Sequence, residues 1–253
     1  MTGPLTDTAE ALAAALIRSR AGGPRTDLSS GRNGALSAAD AYRVQEALAQ
    51  RFGPVGGFKV ACKPGQPVIM APVYAADIRP SGHSFPTPEG EPIGIELEIG
   101  FKILRPLPPP GTGDFRQRLR DCVSLVPVIE VVLTRLADAE AASPMLRLAD
   151  NQLNGGLVAG PERADWQDLD LTQATATLDF GDTRVLDGTV PVPGGDAFDN
   201  FCKLAEMAGS HCGGLQPGQV AITGSLNGLP YIEAGTGVKG WIEGLGEVSV
   251  AFP

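Results

Sequence analysis

The chain has 253 residues, enough to bury a large core in one or two domains. A formal charge of -9 and a sequence pI near 4.7 exclude the clustered Lys and Arg of a sequence-independent nucleic-acid binder, and no basic stripe is present. Cys62, Cys122, Cys202 and Cys212 form no C-x-x-C pair, and no stretch reads as a signal peptide or membrane span, so a soluble cytoplasmic protein with free thiols is expected.

The first fifty residues read as helical, with one segment over Thr8 to Ser19 and a second over Ser37 to Phe52. Ser37 is placed to cap the second with Asp40 in its first turn, and Ala41, Val44, Leu48 and Phe52 form one apolar stripe. Between them, Gly22 to Gly34 reads as a loop. From Val55 onward the pattern changes to short strands punctuated by Gly and Pro. Strands are predicted near Val55 to Ala61, Ile93 to Leu104, Val126 to Thr134, Gly156 to Ala159, Ala174 to Phe180, Gln219 to Thr223, Val238 to Glu243 and Glu247 to Phe252. The last two flank the hairpin signal Gly244-Leu245-Gly246, and the proline-rich Arg105 to Gly113 must be a loop. Helices interrupt at Phe115 to Val123 and at Ala197 to Ala208, where Phe198, Phe201, Cys202 and Ala205 share a face and Gly209 terminates. Many strands with few helices predict an α+β fold with a rolled, barrel-like mixed sheet. It divides into an N-terminal helical segment (1–54) packed on a β-rich domain (55–253).

Ile93 to Ile103 alternates without a break, so Glu96 and Glu98 leave one face about 6.6 Å apart while Ile95, Leu97, Ile99 and Phe101 leave the other. Two like charges on one strand face need either water or a cation. Val126 to Leu133 is apolar on both faces except for Glu130. Such strands are normally buried, and a buried carboxylate takes up a proton, finds a basic partner or coordinates a metal. Three carboxylates from two strands suit Mg²⁺ or Mn²⁺. The competing readings are an exposed polar face for Glu96 and Glu98, and an ion pair between Glu130 and Arg135 or a more distant cation.

Four stretches, in this order and spacing, resemble the hydratase/decarboxylase branch of the fumarylacetoacetate hydrolase superfamily, which includes 2-hydroxypenta-2,4-dienoate hydratases and 4-oxalocrotonate decarboxylases. They are Gly57-Phe58-Lys59-Val60, Glu96-Leu97-Glu98, Val128-Ile129-Glu130-Val131 with Ala149-Asp150-Asn151 downstream, and Thr223-Gly224-Ser225 followed by Gly244 to Val250. The resemblance implies that Glu96, Glu98 and Glu130 ligate Mg²⁺ or Mn²⁺. It implies that a 2-oxo or 2-hydroxydienoic acid chelates the ion, with Thr223, Gly224 and Ser225 near the substrate carboxylate. It further implies that Lys59 sits beside the developing enolate, and that Asp150 and Asn151 belong to the pocket, Asp150 in a catalytic role and Asn151 in a binding one. A homo-oligomer is also implied. The implied reaction is hydration to a 4-hydroxy-2-oxo acid, with decarboxylation of a 4-oxalocrotonate-type acid as the alternative, since both pass through an enolate that a Lewis acid stabilises.

Some positions depart from the hydratase pattern. Gln152-Leu153-Asn154 stands where small hydroxyl residues are common, and Pro72-Val73-Tyr74-Ala75 lacks an acid before the aromatic, which bears on hydration more than on metal binding. Carbon-carbon hydrolases of the superfamily need a His-Glu pair in a lid, and the N-terminal half shows none. A fold that keeps the cradle and has lost the chemistry is the non-enzymatic alternative.

Overall fold

The computed structural model describes residues 6–27, 36–86 and 90–253, so residues 28–34 of the predicted first loop lie outside the described residues. Helix α1 (Asp7–Arg20) starts where the Thr6 hydroxyl accepts from the Ala9 N–H. Helix α2 (Ala38–Phe52) starts at a capping box: the Asp40 N–H donates to the Ser37 hydroxyl and the Asp40 carboxylate accepts in return. The predicted stripe of α2 faces inward, with Ala41, Val44 and Leu48 buried.

Strands β1 (Val55–Ala61), β2 (Ile69–Tyr74), β3 (Ile78–Pro80) and β4 (His83–Ser84) follow. Next come β5 (Ile93–Ile103), helix α3 (Phe115–Arg120), β6 (Val123–Val132) and helix α4 (Pro144–Ala149). Then β7 (Asn154–Ala159), β8 (Gln173–Phe180), β9 (Thr183–Pro191), helix α5 (Ala197–Ala208), β10 (Val220–Ser225), β11 (Tyr231–Ile232), β12 (Gly237–Ile242) and β13 (Gly246–Ala251) complete the chain. The expected α+β class is observed. The strands form two mixed sheets: one runs β2-β1-β10-β5-β6-β7-β3 with β11 added beside β5, and the other runs β4-β13-β12-β8-β9. Neither path closes on itself.

All eight strands expected from the sequence form, with ends shifted by up to three residues. Strand β2 escaped the alternation pattern because Pro72 interrupts it; proline is tolerated there because β2 is the terminal strand of its sheet. Strand β9 escaped because it is a largely exposed edge carrying Arg184, Asp187 and Thr189. Helix α4 is only six residues long, although Ser143 capping ahead of Pro144 marks its start.

The larger sheet carries different cores on its two faces. On one, Phe101 stacks on Phe201 at 4.8 Å and meets Trp166 edge-on, while Leu97 fills the space left by Gly240 of the second sheet. On the other, Val73, Val126, Val128, Leu157, Val220 and Ile222 form a separate apolar cluster. Gly57 and Gly100 share this inner face, and no side chain fits at either. A Cβ on Gly57 would lie 2.2 Å from the Val220 carbonyl oxygen, and one on Gly100 would lie 2.6 Å from a Val128 methyl. The sheet therefore rolls around the second cluster.

Behind the roll, Arg135 and Asp150 form a buried pair. The Arg135 Nε donates to Asp150 at 2.5 Å and its backbone N–H to the same carboxylate at 2.9 Å, while its other nitrogens donate to the carbonyls of Leu133, Asp150 and Asn154. Arg135 is thus the partner of Asp150, not of Glu130 as the sequence allowed. Asp150→Ala would strand a buried guanidinium and should cost about 3–5 kcal/mol in urea unfolding.

Candidate active site

Cross-strand register explains how two strands gather three carboxylates. Glu96 on β5 lies directly opposite Glu130 on β6, and Glu98, two residues along β5, faces the same side. One oxygen from each comes within 4.8 Å of the others. This is the inner face of the roll, so the half-solvated strand suggested by the alternation is not what forms. Glu98 and Glu130 are buried, Glu130 completely, and Glu96 is half-buried.

Lys59 comes from β1, three strand positions away from β6. On a flat sheet that is about 14 Å. Its Nζ nevertheless donates to Glu130 Oε1 at 2.6 Å, because the roll brings β1 and β6 toward each other across the concave face. The same ammonium reaches the Gln152 carbonyl at 3.3 Å. Burial works against its charge, yet Glu130, Glu96 and Glu98 outweigh that and raise the Lys59 pKa above the ordinary lysine value.

One lysine does not balance three carboxylates. Burial, reinforced by the charge of Glu130, pushes the Glu96 carboxyl up to about 8 despite Lys59. Burial and the charges of Glu130 and Glu96 also push Glu98 well above the usual carboxylate range. Oε2 of Glu130 is buried without a hydrogen-bond partner. An acceptor-only, oxygen-rich cluster with an orphaned lone-pair atom fits a hard divalent cation such as Mg²⁺ or Mn²⁺.

Several neighbours hold the carboxylates in place. The Gly224 N–H donates to Glu98 Oε2 at 2.6 Å from a bulge in β10, where Gly224 adopts a φ of +129° that favours glycine. The Asn154 side-chain amide donates to Glu130 Oε1 at 2.7 Å. Past the bulge, Asn227 takes over from the missing ladder: its Oδ1 accepts from the Leu97 N–H and its Nδ2 donates to the Ile95 carbonyl, on either side of Glu96. Neither asparagine stands out in the sequence for this work. Asn154 stood only as a departure from the hydratase pattern, and Asn227 sits in an ordinary turn sequence.

A cavity of about 520 Å³ lies over Glu96, Glu98 and Lys59, and Thr223, Gly224 and Ser225 line it. The hydroxyl protons of that turn are already committed, Thr223 Oγ1 to the Ile99 carbonyl and Ser225 Oγ to the Gly228 carbonyl. Val132, Leu153, Pro193 and Leu229 supply apolar wall. Asp150 and Asn151 are not on the cavity surface: Asp150 is held by Arg135, and the Asn151 Nδ2 donates to the Tyr74 hydroxyl at 3.0 Å. Their neighbours Gln152 and Leu153 do line it. A His-Glu pair forms between His211 and Glu46 at 3.3 Å, away from this cavity, and Glu46 lines a separate hollow beside α2.

No family model matches the chain. It is 31% identical over 159 residues to 2-keto-4-pentenoate hydratase 1 of Dechloromonas aromatica (strain RCB), covering 62% of this chain and 59% of that protein. It is 30% identical over 159 residues to hydratase 2 of the same strain, covering 62% and 60%. The chain thus spans about three fifths of the length of these curated relatives. Among solved structures it is similar over the full length of both chains to 4-oxalocrotonate decarboxylase from Pseudomonas putida G7, complexed with magnesium and adipate (TM-score 0.81, 19% identity). Fumarylpyruvate hydrolase from Pseudomonas aeruginosa, in complex with Mn²⁺ and pyruvate, matches over 77% of this chain and 87% of its own (TM-score 0.54, 18% identity). The structural likenesses establish a shared fold, and the resemblance read from the four sequence stretches is borne out.

The raised carboxyls give the metal-free protein an inverted pH response. Between about 4.5 and 8 the folded state holds protons at Glu96 that the unfolded state releases, so stability should fall as pH rises through that window. Glu96→Gln should flatten the slope and raise the melting temperature near pH 8 in the presence of chelator, as read by differential scanning calorimetry.

Proposed function

We propose that this relative of the hydratase/decarboxylase branch is a metal-dependent lyase acting on a 2-hydroxydienoic or 2-oxo acid, with hydration to a 4-hydroxy-2-oxo acid as its reaction. The observation that carries this reading is the buried Glu96-Glu98-Glu130 cluster, with an orphaned oxygen and a single lysine at the floor of a cavity. In this reading the three glutamates hold Mg²⁺ or Mn²⁺. Bound there, the ion supplies Lewis-acid stabilisation of the negative charge that develops on the oxygen of a 2-oxo acid as it enolises.

The chain's own residues supply the rest. Lys59 places a second positive charge beside the same region, and its raised pKa favours the role of fixed cation over that of base in the metal-free state. Asn154 and Lys59 both bond Oε1 of Glu130, so Oε2 is the oxygen that would be left to hold the ion. The Gly224 N–H fixes Glu98 in the same way. Thr223 and Ser225 donate their protons elsewhere, so a hydrogen bond from this turn to a substrate carboxylate requires the Ser225 hydroxyl to exchange its Gly228 partner. The apolar wall excludes water from the far side of a planar dienoic chain. Asp150 acts by positioning: with Arg135 it anchors the segment that presents Gln152, Leu153 and Asn154.

Hydration ranks first because both curated relatives are 2-keto-4-pentenoate hydratases. The carboxy-lyase reading draws on the full-length likeness to 4-oxalocrotonate decarboxylase. A homo-oligomer in the cytoplasm, with its catalytic part in the β-rich residues 55–253, is part of this proposal. Among the described residues no helix is long and apolar enough to cross a membrane.

Proton NMR of 2-hydroxypenta-2,4-dienoate and 4-oxalocrotonate, each incubated with the protein and Mg²⁺ or with chelator, decides between the reactions. Metal-dependent appearance of a 4-hydroxy-2-oxo acid establishes hydration, loss of the oxalocrotonate carboxylate establishes decarboxylation, and silence with both refutes the lyase reading. Glu130→Gln should abolish metal-dependent turnover, and Lys59→Met should lower kcat by about 10²–10⁴-fold, the scale of a lost charge-stabilising or proton-transferring group.

A further inference from the structure

Helix α5 buries one side chain that core packing does not account for. Its other buried residues are apolar, Phe198, Phe201 and Leu204 among them, yet Asn200 stands in their midst with no exposed surface. The Asn200 Oδ1 is buried without a hydrogen-bond partner, a desolvation cost that an apolar residue of similar shape would avoid. The other end of the amide shows what holds an asparagine there. Its Nδ2 donates to the Pro193 carbonyl at 2.7 Å and to the Thr223 carbonyl at 3.3 Å.

The bond to Thr223 bears directly on the glutamate cluster. A trans peptide holds its C=O and N–H rigidly in one plane, pointing in opposite directions. The Thr223 carbonyl and the Gly224 N–H belong to the same peptide, so Asn200 grips one end of the unit whose other end donates to Glu98 Oε2 at 2.6 Å. That peptide lies where β10 loses register with β5, between Ile222 and Ser225, so the ladder with β5 does not set its tilt. A hydrogen bond accepted by the carbonyl also polarises the unit and strengthens the bond its N–H donates.

The bond to Pro193 reaches the same peptide by a second route. Pro193 and Gly194 belong to the cavity wall, and the Pro193 ring lies so close to Gly224 that a Cβ there would meet it at 3.0 Å. Gly194, at a φ of +79°, passes between Asn200 and the Cys62 carbonyl, and a Cβ on it would lie 2.7 Å from the Asn200 Oδ1 and from that carbonyl oxygen. Asn200 thus holds both the Gly224 peptide and the proline packed on it.

We infer that Asn200 is a positioning residue of the metal site, which fixes the Glu98 carboxylate for the ion by holding the peptide that donates to it. This rests on the metal reading of the glutamate cluster and extends the site to a helix that does not line the cavity.

Isothermal titration of the chelator-treated protein with Mn²⁺, with no substrate present, tests this. Asn200→Leu should weaken Mn²⁺ binding about 10–100-fold, the scale of losing a group that orients a metal ligand. Leu204→Ala opens a cavity under the same helix, so it should lower the melting temperature and leave Mn²⁺ affinity unchanged. Pro193→Gly, at an exposed position, removes the ring beside Gly224 and keeps both carbonyls. It should weaken Mn²⁺ by a smaller factor and add little on top of Asn200→Leu, because both act through one peptide. Affinity within twofold of the parent in Asn200→Leu, or an equal loss in Leu204→Ala, would overturn the positioning role and leave the glutamate site standing. Should Asn200→Leu fail to fold, unchanged affinity in Pro193→Gly would overturn it. Absence of Mn²⁺ binding in the parent protein would overturn both readings.

Discussion

Uncompensated negative charge inside a rolled sheet is the constraint around which this structure is organised. Three carboxylates share one concave face with a single lysine, in surroundings dry enough to lift Glu96 to about 8. Such a cluster survives folding only if protons or a cation neutralise it. Its geometry in turn requires the roll, because Lys59 and Glu130 meet across three strand spacings. The roll requires Gly57 and Gly100, whose missing side chains let β10 and β6 approach. The apolar half of the same concave face, from Val73 to Ile222, fills the interior where no charge is present and offsets part of the cost of the charged half.

The segment after α4 shows a second consequence of that constraint. Asn151, Gln152 and Leu153 all adopt positive φ, at 50°, 51° and 62°, although none is glycine. Left-handed backbone costs about 1–2 kcal/mol for each such residue. The surroundings hold it there: Arg135 clamps Asp150 ahead of the turn and the Asn154 carbonyl behind it. The turn delivers the Gln152 carbonyl to Lys59, the Leu153 side chain to the cavity wall and the Asn154 amide to Glu130. Strain concentrated where three contacts converge on one site is the pattern expected of a functional constraint.

What the sequence disclosed follows from the range of each signal. Alternation over β5 and the apolar run of β6 are local, and they mark Glu96, Glu98 and Glu130 in the sequence itself. The pairing of Arg135 with Asp150 in place of Glu130 depends on which face each residue takes after a tight turn, and the spacing of five residues from Glu130 to Arg135 says nothing about that. Strand patterning alone gives Lys59 no role, because its partner lies 71 positions away and three strands across, and only the resemblance points to it. The competing reading of an exposed polar face on β5 falls for a related reason: period-two patterning records that one face is polar, while the roll decides that the polar face is inside. Asn227 and Gly224 act through backbone groups released by a bulge, and a bulge leaves no mark in hydrophobic periodicity.

The two ends of the cleft divide the chemistry between them. The deep end is built from main-chain register and buried side chains that support one another, so its geometry tolerates little change; it suits the part of the reaction that hydration and decarboxylation share, charge build-up on an oxo-acid oxygen. At the outer end, a second hollow of about 340 Å³ shares Gln152 and Leu153 with the glutamate cavity and is lined by Lys63 after a strand and Arg147 on a short helix. Residues whose replacement leaves the fold intact are the ones through which a common cradle acquires different substrates. At the positions after the Asp-Asn pair, where the hydratase pattern has small hydroxyls, Gln152 and Leu153 line the cavity and Asn154 bonds Glu130. In the proposed enzyme, therefore, Gln152 and Leu153 act on which acid enters, while Asn154, the glutamates and Lys59 act on what happens to it.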